Sequence, residues 1–264
     1  MRKQTERFDI LRFTNEGRTS IKEAVAREFH LTVTLNGHEL VTLLCSPTDM
    51  HYLAIGFLFS EGLLRSKDEI KKMIVDDRRG TVQLETESRE GVAPGISPKQ
   101  LITSSGGRGG FHRGAVDTVS EKVRSRTKIS HDEVFTLVDE FENYSQLYLT
   151  THGVHSAALC DRKSVLVFGE DLGRHNAIDK VFGRCVLDGI PTSGRIIMTS
   201  GRITSDSVCK VVRGGIPVII SVTVPTNLAI RIADNLGITL VGVVRKGTMN
   251  VYTNNWRIVL GDEL

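Results

Sequence analysis

The chain has 264 residues, of which 40% are hydrophobic and 25% are charged, and its formal net charge is +3. These values are ordinary for a globular protein of one large domain or two smaller ones. The slight basic excess is too small to indicate nucleic-acid binding, and no apolar run approaches the roughly 18 residues of a membrane-spanning helix. The amino-terminal residues lack the apolar segment of a secretory signal. We therefore expect a cytoplasmic protein with no nucleic-acid partner and no membrane association.

The first predicted elements belong to a smaller α+β domain at residues 1–100. Residues 31–35 and 38–45 are apolar at alternate positions, as in half-buried strands. They flank Asn36-Gly37, the dipeptide most typical of a two-residue hairpin turn. The sequence therefore predicts an antiparallel hairpin here.

A helix is predicted directly after this hairpin. Ser46 is a candidate cap, Asp49 suits a first helical turn, and Gly62 is a natural helix stop. A second helix at about residues 67–75 and a strand at about residues 81–85 follow. These elements complete the amino-terminal domain.

Residues 101–127 are assigned to a glycine-rich loop and linker between the two domains. The segment TSSGGRGG at residues 103–110 could wrap a phosphate group, but it lacks the G-K-[ST] sequence of a P-loop. A plain linker is the alternative. Ser130 and Glu133 then form a capping-box pattern, which predicts a helix extending to about residue 147.

The second domain, at residues 128–264, alternates short apolar runs with helical patterns. Such alternation predicts an α/β fold with a mostly parallel sheet covered on both faces by helices. The predicted strands are residues 154–159, 164–168, 195–199, 217–223 and 238–244, and the predicted helices are residues 176–187, 206–212 and 226–235.

Polar and basic residues follow four of these strands. The carboxyl ends of parallel strands lie along one sheet edge, where such sheets bind ligands. Arginine forks, glycines and helix amino termini together suit a phosphate group. The sequence predicts a site for a phosphorylated, nucleotide-like ligand, with solvated turns as the alternative. The predicted binding residues are Arg174, His175, Asn176, Ser200, Gly201, Arg202, Arg245, Lys246, Gly247 and Thr248.

The cysteines and His155 give no sign of a metal site. No two cysteines form a C-x-x-C pair, so neither a disulfide framework nor a structural zinc is expected. His155 invites comparison with zinc deaminases, but Ala157 stands where their signature requires glutamate. We therefore expect no zinc, and His155 is predicted to be a hydrogen-bonded strand histidine. The cysteines are Cys45, Cys160, Cys185 and Cys209.

Seven segments resemble the formate dehydrogenase accessory proteins of the FdhD/NarQ family, in the order that family shows. GFLFSEG and EDLGRHNAIDK are the most specific of them. The segments lie at residues 36–64, 103–110, 151–159, 170–180, 200–210, 226–233 and 237–253.

The resemblance implies a homodimer whose carboxyl-terminal domain has the cytidine-deaminase-like fold without its zinc. Proteins of this kind accept sulfur as a persulfide from a cysteine desulfurase. They pass it to the molybdenum bis(molybdopterin guanine dinucleotide) cofactor before that cofactor enters formate dehydrogenase. The family's cofactor-contacting stretch corresponds here to Val243, Val244, Arg245, Lys246, Gly247 and Thr248, and the family usually has an aromatic residue at position 243.

The loop at residues 103–110 departs from the family pattern T-S-S-C-G-x-C-G. Gly106 and Gly109 stand where the family has cysteines, and a persulfide requires a thiolate. Three explanations remain open. The chain could bind the cofactor or the dehydrogenase without relaying sulfur, Cys209 or Cys160 could substitute, or a partner could handle the sulfur. An unrelated nucleotide-processing enzyme on a deaminase-like scaffold is a further alternative.

Overall fold

The computed structural model describes residues 3–87, 100–102, 122–245 and 247–261. The strands are β1 (Thr5–Thr14), β2 (Gly17–Ala26), β3 (Phe29–Leu35), β4 (His38–Cys45), β5 (Ile70–Asp76), β6 (Thr81–Thr86), β7 (Gln100–Ile102), β8 (Ile129–Ser130), β9 (His155–Cys160), β10 (Val165–Asp171), β11 (Ile196–Thr199), β12 (Val218–Ser221), β13 (Thr239–Arg245), β14 (Thr248–Val251) and β15 (Ile258–Val259). The helices are α1 (Met50–Glu61), α2 (His131–Glu142), α3 (Gln146–Thr151), α4 (Arg174–Asp188), α5 (Ser205–Arg213) and α6 (Asn227–Asn235).

The amino-terminal hairpin is confirmed as β3 and β4. Asn36 and Gly37 have φ angles of 50° and 84°, the left-handed values of a primed two-residue turn. These strands lie within a five-stranded sheet of order β5-β6-β3-β4-β7, and α1 packs on its buried face. Gly62 ends α1 with a φ of 76°, as predicted. The predicted cap is wrong, because Asp49 holds the cap position and the Ser46 hydroxyl accepts a hydrogen bond from Leu172 N–H instead.

The predicted helix at residues 67–75 is wrong. Only Lys67–Glu69 form a short 3-10 turn, and the chain then continues as β5, which pairs antiparallel with β6. Ile74 and Val75 are β-branched, and such residues favour a strand wherever a neighbouring strand offers a hydrogen-bonding edge. Tertiary pairing with β6 therefore overrides the local helical pattern.

The carboxyl-terminal sheet has six strands in the order β10-β9-β11-β12-β13-β14. It is mixed rather than mostly parallel, since only the β11–β12 and β12–β13 pairs are parallel. The reason is the short connection between β9 and β10, which leaves no room for a crossover helix and forces an antiparallel pair. Nevertheless β10, β11, β12 and β13 all run in one direction, so their carboxyl ends share one edge.

Helices cover both faces of this sheet, as the sequence predicts. One face packs against α2 through a core that includes Leu137 and Met198, and the other packs against α4, α5 and α6 around Phe182 and Ile219. The capping box of Ser130 and Glu133 that opens α2 is also confirmed. The helix ends at Glu142 rather than near residue 147, because Ser145 caps a separate helix, α3.

Helices α1 and α4 join the two halves of the molecule at a close backbone contact. A Cβ atom on Gly56 would lie 1.7 Å from the Asp179 carbonyl oxygen, and one on Gly183 would lie 1.8 Å from that of Tyr52. Any side chain at either glycine would separate the helices. The two most specific resemblance segments therefore meet physically, since GFLFSEG lies in and just after α1 and GRHNAIDK lies in and just before α4.

No predicted element corresponds to β1 and β2, which pair in an antiparallel ribbon of their own. Across the described ranges, none of the helices combines the length and apolar character that crossing a membrane requires.

Candidate functional site

The sheet edge at which the sequence predicts a ligand site exists in the fold despite the mixed sheet, and ligand binding there stays a prediction. The carboxyl ends of β10, β11, β12 and β13 lie together there, and the start of β9 joins them because β9 runs the opposite way. His155 at the start of β9 lies opposite Asp171 at the end of β10 in the antiparallel register. Ser200 N–H, just after β11, donates to the Ser156 carbonyl at 2.9 Å. The edge therefore gathers residues from five chain segments that are far apart in sequence.

A cleft of about 1070 Å³ opens at this edge, between the sheet and the helices α2 and α3; we call it the carboxyl-edge cleft. Four predicted site residues line it, namely Ser200, Val244, Arg245 and Gly247. The opposite wall, which the sequence did not predict, includes Phe135, Asp139, Glu142, Tyr148 and His152. This wall depends on the separate helix α3, whose start is marked in sequence only by the Ser145 cap.

Two arginines lie close together beside the cleft. The pKa of Arg174 is lowered, first by partial burial and then by the positive charge of Arg202. The stem of Arg174 packs directly over Gly201, where an added Cβ would lie only 2.7 Å from Arg174 Cβ. The Arg174 Nε atom is buried and has no hydrogen-bond partner among the described residues. The Asp206 carboxylate opposes part of this positive charge. Two neighbouring guanidinium groups with one nearby carboxylate still carry a net positive charge that suits an anion.

His155 links this arginine pair to the cleft, which it lines. Partial burial lowers the pKa of His155, and the charges of Arg174 and Arg202 lower it further. Its Nδ1 atom lies 3.4 Å from the Ser200 hydroxyl, which accepts a hydrogen bond from Ser156 N–H. The prediction that His155 is a hydrogen-bonded strand histidine agrees with this geometry. The imidazole is neutral near pH 7 and offers one ring N–H to a ligand oxygen.

The remaining predicted residues of the GRHN segment point into the protein. Asn176 Nδ2 donates to the Leu44 carbonyl at 2.9 Å and to Asp171 at 2.8 Å. His175 Nε2 lies 3.2 Å from the Thr204 hydroxyl, and both His175 and Asn176 are buried. These two side chains fix the start of α4, and so they hold Arg174 in position. A direct ligand contact by either remains a prediction.

Asp171 is the centre of the buried network beneath the edge. It accepts hydrogen bonds from Ser46 N–H, Gly173 N–H and Asn176, and it lies 2.8 Å from Lys180 Nζ. Buried carboxylates are tolerated only with such full pairing. The network ties the amino-terminal domain to the loop that carries Arg174.

Residues 243–245 form an irregularity in β13, after which Arg245 pairs with Thr248 of β14. Val243 has a φ of 56°, which is strained for a β-branched residue, and the register between β13 and β14 shifts here. Arg245 is exposed, and the Thr248 hydroxyl donates to its carbonyl oxygen at 2.9 Å. Gly247 completes the turn with a φ of 79°. Lys246 lies outside the described residues.

No available thiol faces this site among the described residues. Gly106 and Gly109 lie outside those residues, and the four cysteines are all buried. Burial raises the pKa of Cys160 to about 12 and also raises the pKa of Cys209. Since the thiolate is the reactive form, the geometry opposes both cysteines as substitute sulfur carriers.

Fold and site together define a layered α/β protein with a cleft at the carboxyl edge of its sheet and two neighbouring arginines beside that cleft. The FdhD/NarQ family model matches residues 26–259. The chain is 38% identical over 251 residues to the sulfur carrier protein FdhD of Bacillus subtilis, covering 95% of this chain and 96% of that protein. It is 39% identical to the FdhD protein of Bacillus pumilus, covering 92% and 94%.

A solved structure gives the same result. A proposed formate dehydrogenase accessory protein from Desulfotalea psychrophila superposes with a TM-score of 0.80 at 28% identity, over 97% of this chain and all of that one. The chain belongs to the FdhD/NarQ family. This assignment confirms the resemblance noted in the sequence, and it removes the alternative of an unrelated nucleotide-processing enzyme.

Proposed function

We propose that this chain binds the molybdenum bis(molybdopterin guanine dinucleotide) cofactor in the carboxyl-edge cleft, as an accessory protein in the maturation of formate dehydrogenase. The observation that carries the proposal is the pair of neighbouring guanidinium groups, Arg174 and Arg202, beside the cleft-lining His155. The Asp206 carboxylate opposes the positive charge of this pair only in part, so the pair keeps a net positive charge. A pyrophosphate would supply the negative charge that this arrangement lacks.

The volume and lining residues of the cleft suit a guanine nucleotide portion of the proposed cofactor. A volume of about 1070 Å³ is at the upper end of ordinary small-molecule sites. Phosphate oxygens would meet the arginines, the His155 ring N–H and the backbone around Gly201. A base would meet the opposite wall, where Tyr148 offers an aromatic face. The backbone turn at residues 243–248 would hold the cofactor as the family resemblance implies.

Several finer features of the proposal come from the same resemblance. We propose a cytoplasmic homodimer whose carboxyl-terminal domain is cytidine-deaminase-like. We also propose formate dehydrogenase and a cysteine desulfurase as its partners. Molybdenum is the metal of the proposed cargo, and tungsten is the alternative.

The missing cysteines favour a second, narrower function. With Gly106 and Gly109 in the loop and all four thiols buried, the chain would hold cofactor or apo-enzyme without relaying sulfur. Sulfur transfer would then be carried out by a partner. This maturation-chaperone role requires the same cleft and differs only in covalent chemistry.

Nucleotide binding is tested by titrating the protein with GDP as a cofactor fragment. We expect saturable binding in the micromolar range that is weakened about tenfold or more in Arg245→Ala, since a hydrogen bond to a charged group contributes roughly 1.5–3 kcal/mol. Arg65→Ala is the matched control, because Arg65 is exposed and does not line the cleft. If neither GDP nor the intact cofactor binds, the proposal is wrong.

Sulfur relay is tested by loading the protein with a cysteine desulfurase and free cysteine, then measuring protein-bound persulfide. We expect none in this chain, and a clear signal in a Gly106→Cys/Gly109→Cys variant or in the Bacillus subtilis relative. Persulfide on the unmodified chain would contradict the chaperone role while leaving cofactor binding intact.

A further inference from the structure

A second concave surface lies at the opposite edge of the six-stranded sheet, where the parallel strands begin. Its volume is about 530 Å³. It is formed by the β9–β10 turn, the residues just before β11 and the segment that precedes β8. We call it the amino-edge basic surface. Its lining residues are Arg126, Thr127, Lys128, Asp161, Arg162, Lys163, Gly194, Arg195 and Ile196.

The segment at residues 122–128 gives this surface its charge. Positions 122, 124, 126 and 128 are lysine or arginine and are all exposed, whereas positions 123, 125 and 127 are half-buried. This alternation is typical of extended backbone, in which every second side chain faces the same way. The four basic side chains therefore form a row with a spacing of roughly 7 Å.

The row is held in place rather than attached loosely. Val123 N–H donates to the Leu236 carbonyl at 2.9 Å, and the Thr127 hydroxyl donates to the Gly194 carbonyl at 3.0 Å. Arg257, itself buried, donates to the Ser125 carbonyl at 3.3 Å. Three hydrogen bonds to residues that are distant in sequence therefore fix this row of like charges.

Most of these charges are not neutralised. Arg162 pairs with Glu133 at 2.8 Å, and Arg195 lies 3.8 Å from Asp161. Within the described part of the chain, no carboxylate forms an ion pair with the five other basic residues of this surface and of the row that extends from it. They are Lys122, Arg124, Arg126, Lys128 and Lys163. Like charges held side by side repel one another, which favours an anionic occupant.

We propose that the amino-edge basic surface docks an extended acidic segment of a partner protein. Carboxylates at alternate positions of an extended peptide repeat at roughly 7 Å, which is the spacing of the basic row. The surface lies across the sheet from the carboxyl-edge cleft. A partner could therefore be bound here while the cleft holds its ligand.

The lining favours a peptide over a nucleic acid. None of the residues that line the surface is aromatic, although single-stranded nucleic acid is bound largely by stacking its bases on aromatic side chains. The fixed carboxylates of Asp161 and Glu133 would also repel a continuous phosphate backbone. An acidic peptide can place its uncharged residues opposite these two groups.

The test is fluorescence anisotropy of a labelled ten-residue peptide with glutamate at alternate positions, titrated with the full chain. We expect saturable binding that is weakened at least about tenfold in Arg126→Glu/Lys128→Glu, because like charges across an interface disfavour it strongly. The matched control is Arg65→Glu/Lys71→Glu, which makes the same change in net charge at two exposed residues outside this surface. This control should bind like the unmodified protein.

The proposal is wrong if the peptide does not bind, if both double variants lose binding equally, or if a ten-residue oligo-dT binds more tightly than the peptide. Displacement of the peptide by low-millimolar inorganic phosphate would also overturn it, by indicating a small-anion site. GDP affinity should be the same in Arg126→Glu/Lys128→Glu as in the unmodified chain, which keeps this surface separable from the cleft.

Discussion

Basic side chains within and around α4 occur in two different environments. Lys180 and Lys210 lie in the interior, and each is within 3 Å of a buried carboxylate, Asp171 or Asp179. Arg174 and Arg202 lie at the sheet edge as an incompletely paired cluster, because the Asp206 carboxylate offsets only part of their charge. Buried charges must be paired for the fold to be stable, whereas an unpaired cluster is tolerated only near solvent. The contrast separates charges that stabilise the fold from charges that we propose bind a ligand.

The largest effect is expected from breaking an interior pair. Lys210→Met leaves the Asp179 carboxylate buried, with the Ser60 hydroxyl as its remaining side-chain donor among the described residues. We therefore expect the free energy of unfolding to fall by about 3–5 kcal/mol. Urea denaturation measures this change. Replacing both partners, in Asp179→Leu/Lys210→Met, should recover part of the loss. A single variant within about 1 kcal/mol of the unmodified chain would show that the pair does not support the fold.

The edge arginines should behave in the opposite way. Pyrophosphate at about one hundred times its dissociation constant should stabilise the protein by about 2.7 kcal/mol, because it binds only the folded state. Arg174→Ala/Arg202→Ala should lose this stabilisation and should be no less stable than the unmodified chain without ligand, since the variant removes a repulsion. Both quantities come from the same denaturation curves. A strong loss of intrinsic stability would place these arginines with the structural charges.

A smaller effect is expected at His155. Its pKa in the folded protein lies below the ordinary 6.5, owing to burial and then to Arg174 and Arg202, with Asp171 opposing. The unfolded chain therefore binds a proton more readily, and stability falls as pH is lowered from about 7 to 5. His155→Asn should reduce this slope. Bound pyrophosphate should raise the His155 pKa, measured by NMR of its ring protons; an unchanged pKa would separate His155 from the anion site.

The smallest effect is expected at the strained turn. Val243→Gly relieves the strain of a left-handed backbone conformation, which costs a non-glycine residue roughly 1–3 kcal/mol. Glycine itself costs roughly 0.5–1 kcal/mol, because it loses more chain entropy on folding. After the loss of some apolar contact, we expect a gain of up to about 1 kcal/mol in thermal or urea unfolding. Val244→Gly is the control, because Val244 is buried without a positive φ and should destabilise. Equal destabilisation by both variants would contradict strain at position 243.

Local sequence signals predicted much of the fold. Asn36-Gly37, Gly62 and the Ser130–Glu133 box each act within a few residues, and each is confirmed. The helix expected at residues 67–75 failed because pairing with β6 is a long-range effect that no local pattern contains. The antiparallel β9–β10 pair was missed although its short turn was visible in the sequence.

The candidate site likewise has features that local sequence predicts and features that depend on long-range packing. The edge and its arginines follow from which residues come after which strands, so they were predictable. The α2–α3 wall of the cleft was not, because it depends on a helix break near Ser145 and on packing across the sheet. The inward orientation of Asn176 was also missed, since its partner Leu44 lies 132 residues away in sequence.

Calorimetric titration of GDP into the unmodified chain, Arg174→Ala/Arg202→Ala and the surface control Arg65→Ala addresses the central claim most directly. If the edge arginines receive the cofactor's phosphates, the unmodified chain and the control will bind GDP alike. The double variant will then bind at least about a hundredfold more weakly, since it loses two charge-assisted contacts of roughly 1.5–3 kcal/mol each. Equal GDP affinity in all three proteins, or binding in none of them, would contradict a nucleotide site at this edge of the sheet.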